Sequence, residues 1–244
     1  MAKVASHPSR FWLDEVPLAC FLTAAQIKIT QETPDVTTFC DAGPRRLVGN
    51  YGHSGSLTGL FDAADLALDP TLWTDTFADQ DRYLAEALGA ATEGSICYER
   101  VVRLKEQPRE AKGGAAVLLN ITDEGAGPIV RSKILRSATV SGTGNGTGQN
   151  LGTTTSGQVL QVIYRILAIT GGAITLQTHE SSDDGAGDAY ASIAALASGS
   201  LSAVGVVRKT STAASEAWKR ITISAMTASS ATILATIGVQ PNTP

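Results

Sequence analysis

The sequence predicts a mainly β fold: antiparallel strands, one or two short helices, and a C-terminal antiparallel β-sandwich. Three observations predict it. From Val159 onward, short apolar runs are separated by turn signals at roughly 8–12-residue intervals, the pattern of a sandwich. In the first half, β-branched and apolar runs are broken by Gly, Asn and Pro rather than spaced for helices. The second half also lacks the amphipathic helices that an α/β fold would place between its strands.

The elements follow in chain order. LACFLTAAQIKITQE (18–32) ends in alternating Ile27 and Ile29, and reads as a strand that Pro34-Asp35 breaks. A long loop follows, then a strand around Gly55–Phe61. Leu72, Trp73, Phe77, Tyr83, Leu84 and Leu88 are spaced for short amphipathic helices, the last near 79–89. Asp79 or Asp81 would open that helix and Gly89 would close it. ICYERVVRL, AAVLLNITDE and IVRSKILRSATV read as strands, the middle one set off by Gly113-Gly114 and Gly125–Pro128. SGTGNGTGQNLGTTTSG is too polar to pack and reads as a linker or exposed loop over 141–157. About six strands then follow: VLQVIYRILAIT, AITLQTHES, AYASIAALASG, AVGVVRKT, WKRITISAM and ATILATIGV. The expected organisation is a β domain over 1–140, the linker or loop, and a sandwich over 158–244 that is either separate or integrated with the first half.

Composition narrows the function. Apolar residues make up 43 % of the chain, enough for a real core, while charged residues make up only 17 %. So little charge suits a protein that buries much of its surface against copies of itself. Net charge is −4, with −5 in residues 1–122 and +1 in the remainder, so neither half is a basic module for nucleic acid. Cys20, Cys40 and Cys97 form no CxxC pair and no metal-ligand spacing with His7, His53 or His179, which fits a reducing compartment. MAKVASHPSRFW has no apolar run of a signal peptide, and no stretch reads as a membrane-spanning helix. Synthesis and folding in a cytoplasm are therefore expected.

Motifs for chemistry are few. Three histidines leave little room for a Ser-His-Asp triad, and each reads as structural or solvated. GTGNGTGQNLG lacks the G-x-G-x-x-G spacing, a Gly-Lys-Ser/Thr ending and a following helix, so it does not read as a phosphate loop. SSDDGAGD offers Asp183, Asp184 and Asp188 as hard oxygen ligands for a cation such as Ca²⁺, but Asp and Gly are also what a tight turn requires. The acidic run Asp62, Asp65, Asp69, Asp75, Asp79 and Asp81 reads as a solvated face, or as the lining of a channel that repels phosphate. No catalytic residue and no cofactor is expected.

Two stretches resemble major tail proteins of long-tailed bacteriophages. In ETPDVTTFCDAGPRRLVGNYGHSGSLTGLFDAAD, residues Thr37, Thr38, Phe39, Arg46, Gly59, Phe61 and Asp62 match the family's acidic-Thr-Thr-Phe segment, Arg, and strand ending in Gly-x-Phe-Asp. In the second half, the match runs through the Gly171-Gly172 turn, THESSDD, VVRKT, WKRITI and ATILATIGV, with Glu180 and Ser181 departing from the family's tighter Gln-Ser-Asp-Asp. The resemblance implies a tail tube subunit: hexameric rings stack into a tube through which viral DNA passes, with no membrane insertion. It implies the tape measure protein, tail terminator and tail-tip or baseplate proteins as partners, and the virion tail as location. Asp35, Thr37, Phe39, Arg45, Arg46, Asn50 and Tyr51 are then candidates for loops that reach neighbouring subunits. The alternatives are a carbohydrate-binding sandwich, or another virion component such as a capsid decoration or tail-tip protein.

Overall fold

Strands dominate wherever short apolar runs sit between turns. The structure, a computed structural model, describes residues 10–18, 22–31, 51–61, 80–87, 89–106, 109–110 and 117–240. The first strands are β1 (Arg10–Leu13), β2 (Val16–Pro17), β3 (Leu22–Gln31), β4 (Tyr51–Phe61), β5 (Arg82–Ala87) and β6 (Ile96–Glu106). Next come β7 (Arg109–Glu110), β8 (Val117–Gly125), β9 (Val130–Val140), β10 (Gly144–Asn145), β11 (Gln149–Asn150) and β12 (Leu160–Thr170). The last are β13 (Ile174–Ser181), β14 (Ala191–Ser192), β15 (Ser200–Leu201), β16 (Gly205–Ser211), β17 (Trp218–Met226) and β18 (Ser230–Val239). A single 3₁₀ turn, Ala194–Leu196, is the one helical element among the described residues.

Contacts divide these residues into two interleaved units, so the expected boundary at 141–157 is not where the chain separates. The described residues within Met1–Ala19, Tyr83–Glu99 and Val130–Gln240 form unit 1, and those within Cys20–Arg82 and Arg100–Ile129 form unit 2. Strand β6 passes from one unit to the other: Ile96–Glu99 pair with β9, and Val102–Glu106 pair with β8.

Unit 1 is built on an antiparallel sheet with neighbours in the order β16-β12-β18-β9-β6-β5-β1-β2. A smaller sheet sets β10 and β11 beside β17, β17 beside β13, and β13 beside β14 and β15. Gly171 and Gly172 take positive φ at the corner where the chain leaves β12 for β13, the turn expected there. Val162, Tyr164 and Ile166 of β12 meet Leu176 of β13, Ile221 and Ile223 of β17, and Ile233 and Ile237 of β18 in one dry core between the sheets. Each such aliphatic side chain contributes about 1.5–3 kcal/mol by leaving water. The Tyr164 hydroxyl is satisfied inside this core, donating to the Leu196 carbonyl at 2.6 Å and accepting from Thr178 Oγ1 at 2.6 Å.

The other face of the larger sheet is also covered. Ile134 and Leu234 point away from the sandwich core and pack with Trp12, Ala85, Ala87 and Cys97. Strands buried on both faces read as continuous apolar runs, which explains ILATIG and VIYRILAI. In the same layer lies a charged pair with no exposure at all. Arg165 donates two parallel bonds to Glu99, each 2.7 Å, and its Nε donates to the Asp14 carbonyl at 2.9 Å. Glu99 also accepts from Thr236 Oγ1 at 2.5 Å.

Three expectations are corrected. The helix near 79–89 does not form: Arg82–Ala87 are strand β5, whose partner is β1. Leu84 and Ala85 are both buried, so β5 is covered on both faces, and an apolar run of that kind mimics a helix stripe in sequence. The run AYASIAALASG is not a long strand but two short pairings around the 3₁₀ turn, with Leu196 plugged into the sandwich core. The linker reading of 141–157 also gives way, to its stated alternative: the segment is a largely exposed loop. Its backbone is tied along β17 and the turn before it, by Gly146 N–H to Ile221 O, Leu151 N–H to Ala217 O and Thr154 N–H to Ser215 O. Glu93 adds a bond from the Thr147 N–H at 3.1 Å while pairing with Arg136 at 3.0 Å. Polar chain can pack when its backbone groups are paired, whatever its side chains.

The Glu99–Arg165 pair generates a prediction. Arg165→Met leaves a buried carboxylate uncompensated and lowers unfolding free energy by about 3–5 kcal/mol. The double variant Glu99→Leu/Arg165→Met recovers most of that loss, which urea denaturation of the three proteins measures.

Candidate functional site

The described part of unit 2 is a short antiparallel sheet in which β4 lies between β3 and β8, and β8 is also flanked by β6 and β7. Leu57, Val102, Leu104 and Ile121 supply its buried apolar residues. The polar interior is unusual. Arg100 on β6 donates to Asp123 on β8 at 2.7 Å, with both side chains almost completely buried. Gly55 on β4 makes room for this pair: a Cβ there would lie 2.6 Å from the guanidinium nitrogens and 2.7 Å from the Asp123 carboxylate. The Gly55 backbone N–H also bonds Asp123. Burial lifts the Asp123 carboxyl above its ordinary range, while Arg100 and His53 pull it down.

His53 completes this interior. Its ring is buried and lies over Gly125, where a Cβ would come within 2.5 Å of the imidazole. Its Nε2 is 2.8 Å from the Gly127 carbonyl, so Nε2 carries the proton and donates. Nδ1 meets no hydrogen-bond partner among the described residues. Burial holds the imidazole below its ordinary value of 6.5, and neighbouring Arg100 acts in the same direction.

Strand β3 forms the exposed side of this unit. Among the described residues it pairs only with β4, so none of them pairs with its outer edge. Ala24, Ala25, Gln26, Lys28, Ile29 and Thr30 are exposed, which means both faces of the strand meet solvent. Ile29 is 57 % exposed, the largest value for a big apolar side chain among the described residues. Natural edge strands are commonly short, bulged or heavily charged to prevent pairing. Over its ten residues β3 has a bulge near Leu22 and a single charge, Lys28.

The other sequence candidates fall as follows. Tyr51 is not in a loop but opens β4, opposite Gln31. Asp35, Thr37, Phe39, Arg45, Arg46 and Asn50 lie outside the described residues, as do Asp62, Asp65, Asp69 and Asp75. Cys97 is free and buried, its thiol pushed up by burial and by Glu99. Cys20, Cys40 and His7 also lie outside. Burial and Arg220 hold His179 below its ordinary value.

Asp183, Asp184 and Asp188 share one turn, but their carboxylates are engaged by donors of the turn itself. Asp183 accepts from the backbone N–H groups of Ala186 (3.0 Å), Gly187 (2.5 Å) and Asp188 (3.1 Å). Asp188 accepts from the Ser182 N–H at 2.8 Å, and Asp184 from the Tyr190 hydroxyl at 2.5 Å. Among the described residues no three His, Cys, Asp or Glu side chains gather as metal ligands. Of the aromatics in the second half, Tyr164 is buried, Arg220 covers the Tyr190 ring at 3.9 Å, and Trp218 is half-buried. No described helix is long and apolar enough to cross a membrane.

Sequence reasoning passes over Glu99, Arg100, Asp123 and Arg165, and reads His53 only as structural or solvated. One signal for them is present. In ICYERVVRL, opposite charges sit side by side within an apolar strand. Neighbouring strand residues point to opposite faces, so Glu99 and Arg100 each need a separate buried partner.

The Asp183 turn makes a prediction about acid. Its backbone donors hold the Asp183 carboxyl below the ordinary value of 3.8, so the stability it contributes is present above that value and is lost as pH falls through its depressed one. Asp183→Asn lowers Tm at neutral pH. The gap between variant and wild type narrows in thermal melts run progressively below about pH 4.

No protein-family model matches the chain, and no curated protein matches it in sequence. Several solved structures are similar in fold. A chain from the virion of a native gene transfer agent particle matches at 17 % identity and TM-score 0.43, covering 52 % of this chain and 97 % of that one. The SPP1 tail tube protein matches at 10 % identity and TM-score 0.44, over 52 % of this chain and 78 % of that one. The SPP1 Dit protein, from the hub adsorption apparatus of phages that infect Gram-positive hosts, matches at 9 % identity and TM-score 0.36, over 96 % of this chain and 99 % of that one.

Proposed function

We propose that this protein is a structural subunit of a phage tail tube. In this reading it forms hexameric rings that stack into a hollow tube, part of the virion, through which viral DNA enters the host. The observation that carries the reading is β3, a ten-residue edge strand exposed on both faces with an apolar side chain at Ile29. An open edge of this kind is a hazard in a monomer and a ready-made joint in an assembly. The residues from Thr37 to Asp62 that resemble the tail family flank β4, the strand paired to β3, and so support the same reading.

The physics of a tube fits the composition. Head-to-tail contacts between identical copies generate open filaments, so one subunit type can build a tail of any length. A conduit for DNA should not hold phosphate, and a net charge of −4 with the acidic residues Asp62, Asp65, Asp69 and Asp75 serves that end. Asp35, Thr37, Phe39, Arg45, Arg46 and Asn50 are proposed to contact neighbouring subunits. Tape measure, terminator and tail-tip or baseplate proteins are the proposed partners at the lumen and the two ends. The role requires no catalysis.

Electron microscopy of the purified protein tests this. Hollow tubes of uniform width are expected, and persistent monomers or trimers under assembly conditions would sink the reading. Ile29→Lys is a surface change and should shift Tm by no more than about 2 °C. It should nonetheless abolish tubes.

A further inference from the structure

The buried polar interior of unit 2 has no part in the assembly reading, and a tail structural role does not require it. Three strands and a turn converge there. His53 comes from β4, Arg100 from β6 and Asp123 from β8, and the turn after β8 presents the Gly127 carbonyl. Gly55 on β4 clears space for the Arg100–Asp123 pair, and Gly125 at the end of β8 clears space for the ring. His53 lies directly opposite Ile29 in the β3–β4 register, so the ring is the anchor of the strand that carries the exposed edge.

The geometry accepts only one protonation state of this ring. Nε2–H has an acceptor, but a second proton would go to Nδ1, which meets no partner among the described residues. Arg100 already pairs with Asp123 Oδ1 at 2.7 Å, so that oxygen is engaged by another cation. We propose that His53 is a proton-operated latch: neutral, it holds β4 against the β8 turn, and protonated, it leaves its slot and frees the β3–β4 hairpin to open.

The direction follows from linkage. A histidine whose charged form is disfavoured in the folded state contributes stability that is present above its ordinary value of 6.5 and is lost as pH falls below it. The charged groups facing the ring are Arg100, which opposes its protonation, and Asp123, which favours it. Burial adds to the opposition. The latch therefore opens with mild acid, in the range where few other side chains titrate. It depends on the interior of unit 2 alone and stands whether or not the protein forms tubes.

Hydrogen exchange on the wild-type protein tests it, at about pH 7.5 and about pH 5, with β18 amides as the internal reference. Relative to β18, protection of amides in Ile27–Thr30 and Gly52–Ser56 should fall about tenfold or more at the lower pH. His53→Gln keeps a donor for Gly127 and cannot be protonated, so it should show equal relative protection at both values. His179→Gln should respond like wild type. An unchanged wild-type ratio, or a His53→Gln variant that loses as much as wild type, overturns the latch. The imidazole resonances of wild-type His53 supply a measurement that needs no variant. Their NMR titration midpoint should coincide with the midpoint of hairpin opening, and a separation of more than about one pH unit overturns it.

Discussion

A guanidinium taken out of water has five N–H groups to satisfy, and an unsatisfied one is costly. Arg165 meets the demand with Glu99 in a bidentate pair, with the Asp14 carbonyl, and with the Tyr83 carbonyl at 3.3 Å. These partners come from the β1–β2 turn, from β5 and from β6, so the arginine on β12 requires the far strands of the same sheet to curl back over it. The cluster of Trp12, Ala85, Ile134 and Leu234 then forms as the apolar part of the same closure. A purely apolar layer would be at least as stable, but would tolerate other registers. A fully bonded Arg–Glu pair does not.

Unit 2 uses buried charge differently. Among the described residues, its Arg100–Asp123 pair and its histidine fill spaces left by two glycines. Part of its stability therefore depends on charge states, which pH changes.

How far these features are legible in sequence depends on the range of the interactions. Strands β12, β13, β17 and β18 are readable because alternation and Gly-Gly or Ser-rich turns are local. Strand β5 misleads because both its faces are covered, so Tyr83, Leu84, Ala85 and Ala87 show no period-2 alternation. The 141–157 segment misleads because side-chain polarity says nothing about whether backbone groups find partners. The edge strand is half legible: Ile27 and Ile29 announce a strand, but only the topology shows that β4 is its one partner among the described residues. Charged partners such as Glu99 and Arg165 are separated by 66 residues, and Arg100 and Asp123 by 23, so nothing local announces which charge meets which.

The position of β18 has a consequence for how the protein is made. This strand lies between β12 and β9 and pairs with both along most of its length. Its residues leave the ribosome after those of every strand beside it. Until they emerge, β9 and β12 each lack the strand that fills the gap between them. Folding of unit 1 is therefore completed only after nearly all of it has been translated. The nascent chain passes through an interval in which those strands carry unpaired edges, a hazard for aggregation.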